Sequence, residues 1–367
     1  MSRYSRHTIL PEIGQKGQEK ITNAKVIVIG AGGLGCPILQ YLAAAGVGTI
    51  GIVDFDVVEE SNLQRQILFG TTTLGKNKAL AAKERLTDIN PLITINTYAE
   101  PLTHKNAISL FEQYDIVVDG TDNFATRYLI NDASVITNTP LVYGAIYKFE
   151  GQVAVFNYKN GPSYRCLFPT PPKKGSTPNC SEVGVLGVLP GIIGTLQANE
   201  VLKIILEIGA VLSGKLHCYN ALTTQSHTLK LTKNESIIND VLAKKDVFSN
   251  QKMEHFICGV EEKNITFLEA LNLNNTLFID IREPSETPEI DQISHLQIPM
   301  SELENRISEL NKNKNIILFC QSGIRSKKAI EILKKYQINN CYSLKDGALA
   351  IKKYYTNEKA QLHKKRI

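Results

Sequence analysis

Lys25-Val26-Ile27-Val28-Ile29 runs directly into Gly30-Ala31-Gly32-Gly33-Leu34-Gly35, and this junction decides the fold. A run of β-branched apolar residues reads as a short buried parallel strand. The next segment, Pro37 to Ala45, has helical character and is stopped by Gly46. A second strand, Thr49-Ile50-Gly51-Ile52-Val53, ends at Asp54. Gly30, Gly32 and Gly35 therefore lie between a strand and a helix, with an acid about 20 residues further on, as in a dinucleotide-binding βαβ unit. Glycine lets backbone N–H groups approach a phosphate, and a helix N-terminus favours negative charge. Asp54 is placed to accept hydrogen bonds from ribose hydroxyls. Taken alone, this motif favours NAD, and a glycine turn kept for packing is the bland alternative.

The residues that follow shift the reading. Asn62-Leu63-Gln64-Arg65-Gln66 comes after the second strand, and Gly75-Lys76-Asn77-Lys78 precedes a helix. A later strand, Ile116-Val117-Val118-Asp119, leads into Gly120-Thr121-Asp122-Asn123, while Arg3 and Arg6 stand before the first strand. Any one of these cations is explained by a solvated surface. Grouped around a phosphate cradle, they suit a triphosphate better than a nicotinamide. An acid at the C-terminal end of a strand suits Mg²⁺, which is held by one or two carboxylates together with phosphate oxygens.

These segments resemble the ubiquitin-activating-enzyme superfamily in its bacterial form, the adenylyltransferases of molybdopterin and thiamine biosynthesis. Arg3-Tyr4-Ser5-Arg6, Gly30 to Cys36, Asp54-Phe55-Asp56, Ser61 to Gln66, Asp119 to Asn123 and Glu150-Gly151-Gln152 carry the resemblance, which runs to about residue 232. It implies that Gly30, Gly32 and Gly35 hold the phosphates of ATP, with Asp54 and Asn62 in the nucleotide site. It further implies that Arg65 and Lys78 stabilise charge on the phosphates and that Asp122 holds Mg²⁺. Arg6 would reach the ATP of a partner subunit, which implies a homodimer. The implied substrate is the C-terminal carboxylate of a ubiquitin-like sulfur-carrier protein, for molybdopterin synthase or for thiamine. Gly151 favours the molybdopterin carrier. An NAD-dependent dehydrogenase and a non-catalytic scaffold for ubiquitin-like proteins are the readings that compete.

Thr170 to Asn179 is rich in Pro, Lys, Gly and Ser and closes on Cys180. It looks like the family's crossover loop, whose cysteine attacks an acyl group or a persulfide. Relatives hold a structural zinc with two Cys-x-x-Cys pairs. Here Ser163-Tyr164-Arg165-Cys166 lacks the first cysteine of its pair, and no second pair follows Leu231. A closed zinc site needs four ligands, so no zinc is expected. Cys36 and Cys218 read as core residues, and His7 as structural.

Lys233 to Lys263 is polar and reads as a linker with short helices. Beyond it βα alternation returns. Thr276 to Asp280 is a strand, followed by Ile281-Arg282-Glu283-Pro284, and Ser301 to Leu310 reads as a helix capped by Ser301 with Glu304 three residues on. Asn315 to Phe319 is a strand ending in Cys320-Gln321-Ser322-Gly323-Ile324-Arg325, and Ser326 opens a helix from Lys327 to Tyr336. A cysteine in a tight loop at a helix N-terminus is activated by backbone N–H groups, the helix dipole and here Arg325. This part, about residues 264–356, resembles the rhodanese domain, and the resemblance implies a persulfide on Cys320 loaded from a persulfide or thiosulfate donor. Tyrosine phosphatases place one more residue between Cys and Arg than the four here, Gln321 to Ile324. The stretch from Glu286 to Gln297 is short and departs from the rhodanese pattern.

Composition agrees with an α/β chain: a Rossmann-like nucleotide-binding adenylation domain over residues 1–232, a linker over 233–263, and a smaller α/β rhodanese domain over 264–367. Hydrophobic residues make up 43% of the 367 and charged residues 21%, ordinary values for a globular protein. A net charge of +5 without a basic face argues against nucleic acid as the partner. No signal peptide is evident. The apolar stretch Val183 to Ala210 contains Gln197, Asn199, Glu200 and Lys203, so it reads as a buried helix starting near Pro190 and not as a membrane span. Seven scattered cysteines indicate a reducing cytoplasm.

Overall fold

Lys25–Ile29 forms β1, and its four β-branched residues are all buried. In the computed structural model, residues 3–172, 184–250, 264–321 and 323–364 are described. The chain divides into two units, Met1–Cys258 and Gly259–Ile367.

In the first unit β1 is joined by β2 (Thr49–Val53), β3 (Thr94–Tyr98), β4 (Ile116–Asp119), β5 (Leu141–Tyr147), β6 (Glu150–Phe156), β7 (Lys215–Asn220) and β8 (Ser226–Lys230). The sheet order is β3-β2-β1-β4-β5-β6-β7-β8. Strands β1 to β5 pair in parallel, and β6, β7 and β8 extend the sheet antiparallel. The chain leaves β1 towards β2 and β3, then returns to β4 on the other side of β1. The crevice at the C-terminal ends of β1 and β4 is therefore a topological switch point, where open α/β sheets bind ligands. The glycine loop follows β1 and the Gly120–Asn123 turn follows β4.

Helix Gly35–Ala45 packs against helix Leu189–Leu206. The latter is long and apolar enough to cross a membrane, yet its Gln197 and Glu200 are buried within the unit. Gln197 is fully buried and its Nε2 donates to the Asp119 carbonyl at 2.8 Å, while the Glu200 carboxylate accepts from the Leu212 N–H at 2.9 Å. Pro190 stands in its first turn, where a missing N–H costs nothing.

The stretch read as a linker carries two apolar anchors. Helix Glu235–Leu242 buries Val241, and Phe248, 1% exposed, joins the core of Tyr128, Phe156 and Tyr164. Phe248 meets the His104 ring edge-on with centroids 4.8 Å apart. Residues 235–250 thus belong to the first unit. Many charges around two apolar positions concealed this in the sequence. Residues 251–263 lie outside the described part.

The second unit has a parallel sheet of β9 (Asn264–Ile265), β10 (Thr276–Asp280), β11 (His295–Gln297), β12 (Asn315–Phe319) and β13 (Cys341–Leu344), in the order β11-β10-β12-β13-β9. Two apolar clusters cover it, one holding Ile279, Leu318 and Leu333, the other Phe267, Phe319 and Ile351. Two sequence expectations are corrected here. Ser301 to Leu310 is a series of turns ending in the 3₁₀ turn Ile307–Glu309, not an α-helix. Leu303, Ile307 and Leu310 are buried at helical spacing, but three-residue turn bonds such as Asn305 N–H to Glu302 carbonyl replace the helical ladder. Ser326 does not open its helix either. The helix is Ile324–Lys335, and Gly323 caps it at φ +88°, a left-handed conformation that glycine adopts without steric cost.

Candidate functional sites

The loop after β1 uses its glycines for different purposes. A Cβ on Gly35 would lie 2.0 Å from the Gly30 carbonyl oxygen, and one on Gly30, at φ +92°, would lie 3.0 Å from that of Gly120. These two let the turn, the helix and the end of β4 close on one another. Gly32 differs, since a Cβ there would meet nothing nearer than Gln66 Nε2 at 3.8 Å. Its outer side is the open approach to the backbone that a phosphate requires.

Asp54, at the end of β2, is buried and braces this loop. Its Oδ2 accepts from the Ala31 N–H at 2.8 Å and its Oδ1 from the Asp56 N–H at 2.9 Å. Burial pushes its pKa up, against those two hydrogen bonds. The Asn77 side chain donates to the Asp54 and Asp56 carbonyls and accepts from the Leu80 N–H, capping helix Lys78–Ile89. That cap sets Lys78 as the first helical residue, with its Nζ 3.2 Å from Asp56 Oδ2 and its side chain only 8% exposed.

Asn62 is buried, and its carbonyl accepts from the Arg65 and Gln66 N–H groups. The turn so formed brings Arg65 over the glycine loop, its Cγ 3.6 Å from where a Gly33 Cβ would stand, with Nη1 donating to the Ser61 carbonyl. Gln66 is 4% exposed, and its Oε1 has no partner. Asp122 is exposed beyond the end of β4, and Asn123 beside it caps helix Phe124–Thr137 by accepting from the Thr126 N–H at 2.9 Å.

The structure thus gathers Gly30, Gly32, Gly35, Asp54, Asn62, Arg65, Lys78 and Asp122 at the C-terminal ends of β1, β2 and β4. Arg6 is elsewhere, exposed on the one-turn helix Ser5–Thr8. Neighbouring Tyr4 lies against Gly46, at the far end of helix Gly35–Ala45 from the glycine loop. At 1.5 Å per residue that separation is about 15 Å.

One residue of this site was missed. Arg127 is buried behind Asp122, its Cζ 5.5 Å from the Tyr143 ring centre, and its Nη2 donates to the Thr121 carbonyl at 3.0 Å. Its Nε is 3.9 Å from Asp119 Oδ2. Asp119 is 1% exposed and is raised in pKa by burial, and its Oδ1 accepts from the Thr121 N–H and hydroxyl. Together they hold the turn that presents Asp122. Nothing in the sequence distinguishes Arg127 from a surface helix residue.

In the second unit Cys320 ends β12 and is 1% exposed. Its Sγ accepts from the Gly323 N–H at 3.2 Å. Its carbonyl accepts from the Ala348 N–H at 2.8 Å, and a Cβ on Gly347 would lie 2.0 Å from that oxygen. The Ser326 hydroxyl donates to the Gly323 carbonyl and meets the Ser343 hydroxyl at 2.7 Å, which fixes the helix start behind the sulfur. Arg282 donates to both oxygens of buried Asp280 and, through Nη1, to Gln321 Oε1 at 3.1 Å. A backbone N–H and a helix N-terminus aimed at sulfur favour a thiolate or persulfide.

Arg325 interacts with the Cys320 sulfur and is shared with a carboxylate. Glu286 takes both of its terminal nitrogens, with Nη1 to Oε1 at 2.6 Å. The Arg325 guanidinium holds the Glu286 carboxyl down at about 2. Glu286 is the second missed residue, and the only signal for it was that its segment departs from the rhodanese pattern.

Cys36 is fully buried, which pushes its thiol up to about 12, as suits a core position. Cys218 is half-buried on β7. Cys166 Sγ accepts from the Ser163 and Asn234 N–H groups, each at 3.3 Å. His7 meets Gln18 Oε1 at 3.0 Å. Cys180 lies outside the described residues. Among the described residues, no cluster of three or more His, Cys, Asp or Glu forms a metal cage.

Comparison with known proteins identifies a family for each part of the chain. Residues 4–238 match the ThiF family, and residues 265–354 match the rhodanese-like domain. A Mycobacterium tuberculosis protein named probable adenylyltransferase/sulfurtransferase MoeZ is 41% identical, over 95% of this chain and 92% of its own. Adenylyltransferase and sulfurtransferase MOCS3 of Danio rerio is 38% identical, over 91% and 80%. The sulfur carrier protein adenylyltransferase of Thermus thermophilus is 52% identical, over 64% and 88%. A crystal structure of E. coli MccB with ATP shares the fold, with a TM-score of 0.57 at 24% identity over 65% of this chain and 75% of that one. The chain belongs to the ThiF family, as an ATP-using adenylyltransferase domain followed by a rhodanese-like sulfurtransferase domain.

Proposed function

We propose that this chain adenylates the C-terminal glycine carboxylate of a ubiquitin-like sulfur-carrier protein and then supplies sulfur to it from a persulfide on Cys320. The observation that carries this reading is the pairing of two sites on one chain: a glycine loop open at Gly32 under Arg65 and Lys78, and a cysteine whose sulfur accepts from the Gly323 N–H at the start of a helix. The first unit fits ATP. Gly32 leaves room for a phosphate, and the neighbouring cations can balance phosphate charge. Asp122 is the exposed carboxylate that would hold Mg²⁺, and the metal when bound neutralises phosphate charge.

The chemistry balances over the two units. A carrier carboxylate oxygen attacks the α-phosphorus, and the bond to pyrophosphate breaks with its electron pair leaving on pyrophosphate. Lys78 and Arg65 stabilise the charge that develops there, a step that depends on positioning and electrostatics. The terminal sulfur of the Cys320 persulfide then attacks the acyl carbon and AMP leaves. A second thiolate cleaves the resulting acyl disulfide at the Cys320 sulfur, releasing thiocarboxylate and leaving a protein disulfide for a small cellular thiol to reduce. Cys180 is proposed as that thiolate, or as an acyl acceptor before sulfur transfer. The molybdopterin-synthase carrier is favoured over the thiamine carrier by Gly151, and a similar protein of Porphyra purpurea is named probable molybdopterin-synthase adenylyltransferase. Arg6 is proposed to act in the partner's site of a homodimer, because its neighbour Tyr4 lies at the end of helix Gly35–Ala45 away from the chain's own glycine loop. A monomer by sedimentation would remove that role.

The test of adenylation is carrier-dependent exchange of labelled pyrophosphate into ATP. Asp122→Ala is expected to fold and to lose about 100- to 1000-fold of this exchange. Exchange within tenfold of wild type would remove Asp122 from the metal site. No structural zinc is proposed, since Ser163 replaces one ligand and no second Cys-x-x-Cys pair follows Leu231. Elemental analysis of the purified chain should find zinc well below one atom per chain, and stoichiometric zinc would overturn this.

A further inference from the structure

Resting on the reading that Cys320 carries sulfur, we infer that Glu286 is a specificity-determining residue of that site: by pairing with the Arg325 guanidinium beside the sulfur, it offsets the positive charge that a free dianionic donor such as thiosulfate needs. Arg325 is the second residue of the helix that follows the cysteine loop, and it interacts with the Cys320 sulfur. Both of its terminal nitrogens also bond the Glu286 carboxylate, whose charge opposes the draw on an anion. The carboxylate is itself fixed, because Glu286 Oε1 accepts from the Glu283 N–H at 2.9 Å and the Glu286 N–H donates to the Glu283 carbonyl at 3.0 Å. This reciprocal turn holds Glu286 in place. The pair is about one-third exposed on each side, so it lies where a small molecule reaches it. Arg282, the neighbouring buried cation, is equally committed, to Asp280, Gln321 and the Pro288 carbonyl.

The consequence concerns loading. The Cys320 thiolate attacks the outer sulfur of thiosulfate, the sulfur–sulfur bond breaks, and sulfite leaves with the electron pair. Two negative charges must approach and leave past Glu286. A singly charged alkyl persulfide gives up its terminal sulfur by the same attack, with an alkyl thiolate leaving, and meets less repulsion. Charges at the rim of a site act mainly on encounter and salt dependence.

The test uses the full-length chain and measures thiocyanate formed with cyanide as acceptor, with thiosulfate or a small alkyl persulfide as donor. In Glu286→Gln the ratio of kcat/KM for thiosulfate to that for alkyl persulfide should rise about tenfold, through a lower KM for thiosulfate, and the gain should shrink as salt is raised from about 0.05 to 0.5 M. Glu286→Asp, with its shorter reach, should give an intermediate ratio, and it decides the matter if the glutamine variant does not fold. An unchanged ratio overturns the proposal. So does a lower kcat for both donors at unchanged KM, which would make Glu286 a support for Arg325 alone. If the wild type takes sulfur from neither donor, the sulfurtransferase reading fails, and that outcome is distinct from the other two.

Discussion

At the residue scale, the three glycines of one motif divide into two that allow packing and one with open space beside its backbone. A methyl group on Gly35 would meet the Gly30 carbonyl at 2.0 Å, and backbone cannot yield as a side-chain tip can. Gly35→Ala is therefore expected to lower stability by about 1–3 kcal/mol or more, as overpacking does. Gly32→Ala has room, so its stability should stay within about 0.5 kcal/mol of wild type. The same methyl group blocks the approach to the backbone, and pyrophosphate exchange should fall by about 100-fold. Denaturant melts and exchange assays on both variants check this, and a Gly32→Ala chain that exchanges normally would place the phosphates elsewhere. Arg127 and Glu286 teach the complementary lesson. Each is a charged residue whose significance comes from a partner, and Glu286 meets Arg325 across 39 positions of sequence.

At the scale of elements, strands β1, β2 and β4 were legible because each is a short β-branched run closed by a glycine or an acid. The capped helices were less legible. Thr266 and Glu269 form a complete capping box at Phe267–Leu271, whereas Ser301 and Glu304 show the same spacing and begin no helix. The spacing alone does not outweigh local turns that bury Leu303 and Ile307 equally well. The segment 235–250 failed in the opposite sense, since a polar composition hid a structural element. Phe248→Ala should cost about 3–5 kcal/mol, the usual loss for a buried phenylalanine. Thermal or urea unfolding of the first unit would register it. A loss below about 0.5 kcal/mol would return this segment to the status of a linker.

At the scale of the whole molecule, two units with separate cores place separate chemistry on one chain. The residues proposed for adenylation precede position 130, and Cys320 belongs to the other sheet. Cys320→Ala should leave carrier-dependent pyrophosphate exchange within about twofold of wild type, because Cys320 belongs to a unit with its own core, and should abolish thiocarboxylate formation from thiosulfate or a persulfide. Intact-mass measurement of the carrier reads the second outcome, since replacing oxygen by sulfur adds about 16 Da. Thiocarboxylate formed at the normal rate by this variant would make the second unit a docking module.

The amino-acid sequence by itself determined the strand–glycine–helix junction, the cations that turn a dinucleotide motif towards ATP, and the loop from Cys320 to Arg325. All of these are local: a few consecutive residues carry the backbone freedom, the charge and the thiol that the chemistry needs. Only the tertiary structure decided which glycine faces outward, that Asp54 braces the loop through Ala31, that Arg127 supports the Asp122 turn, and that Arg325 is already paired. Those facts depend on which distant groups the fold brings within about 3 Å, the range over which a hydrogen bond forms. Composition and spacing along the chain do not encode that distance, because it is set by how strands and helices pack.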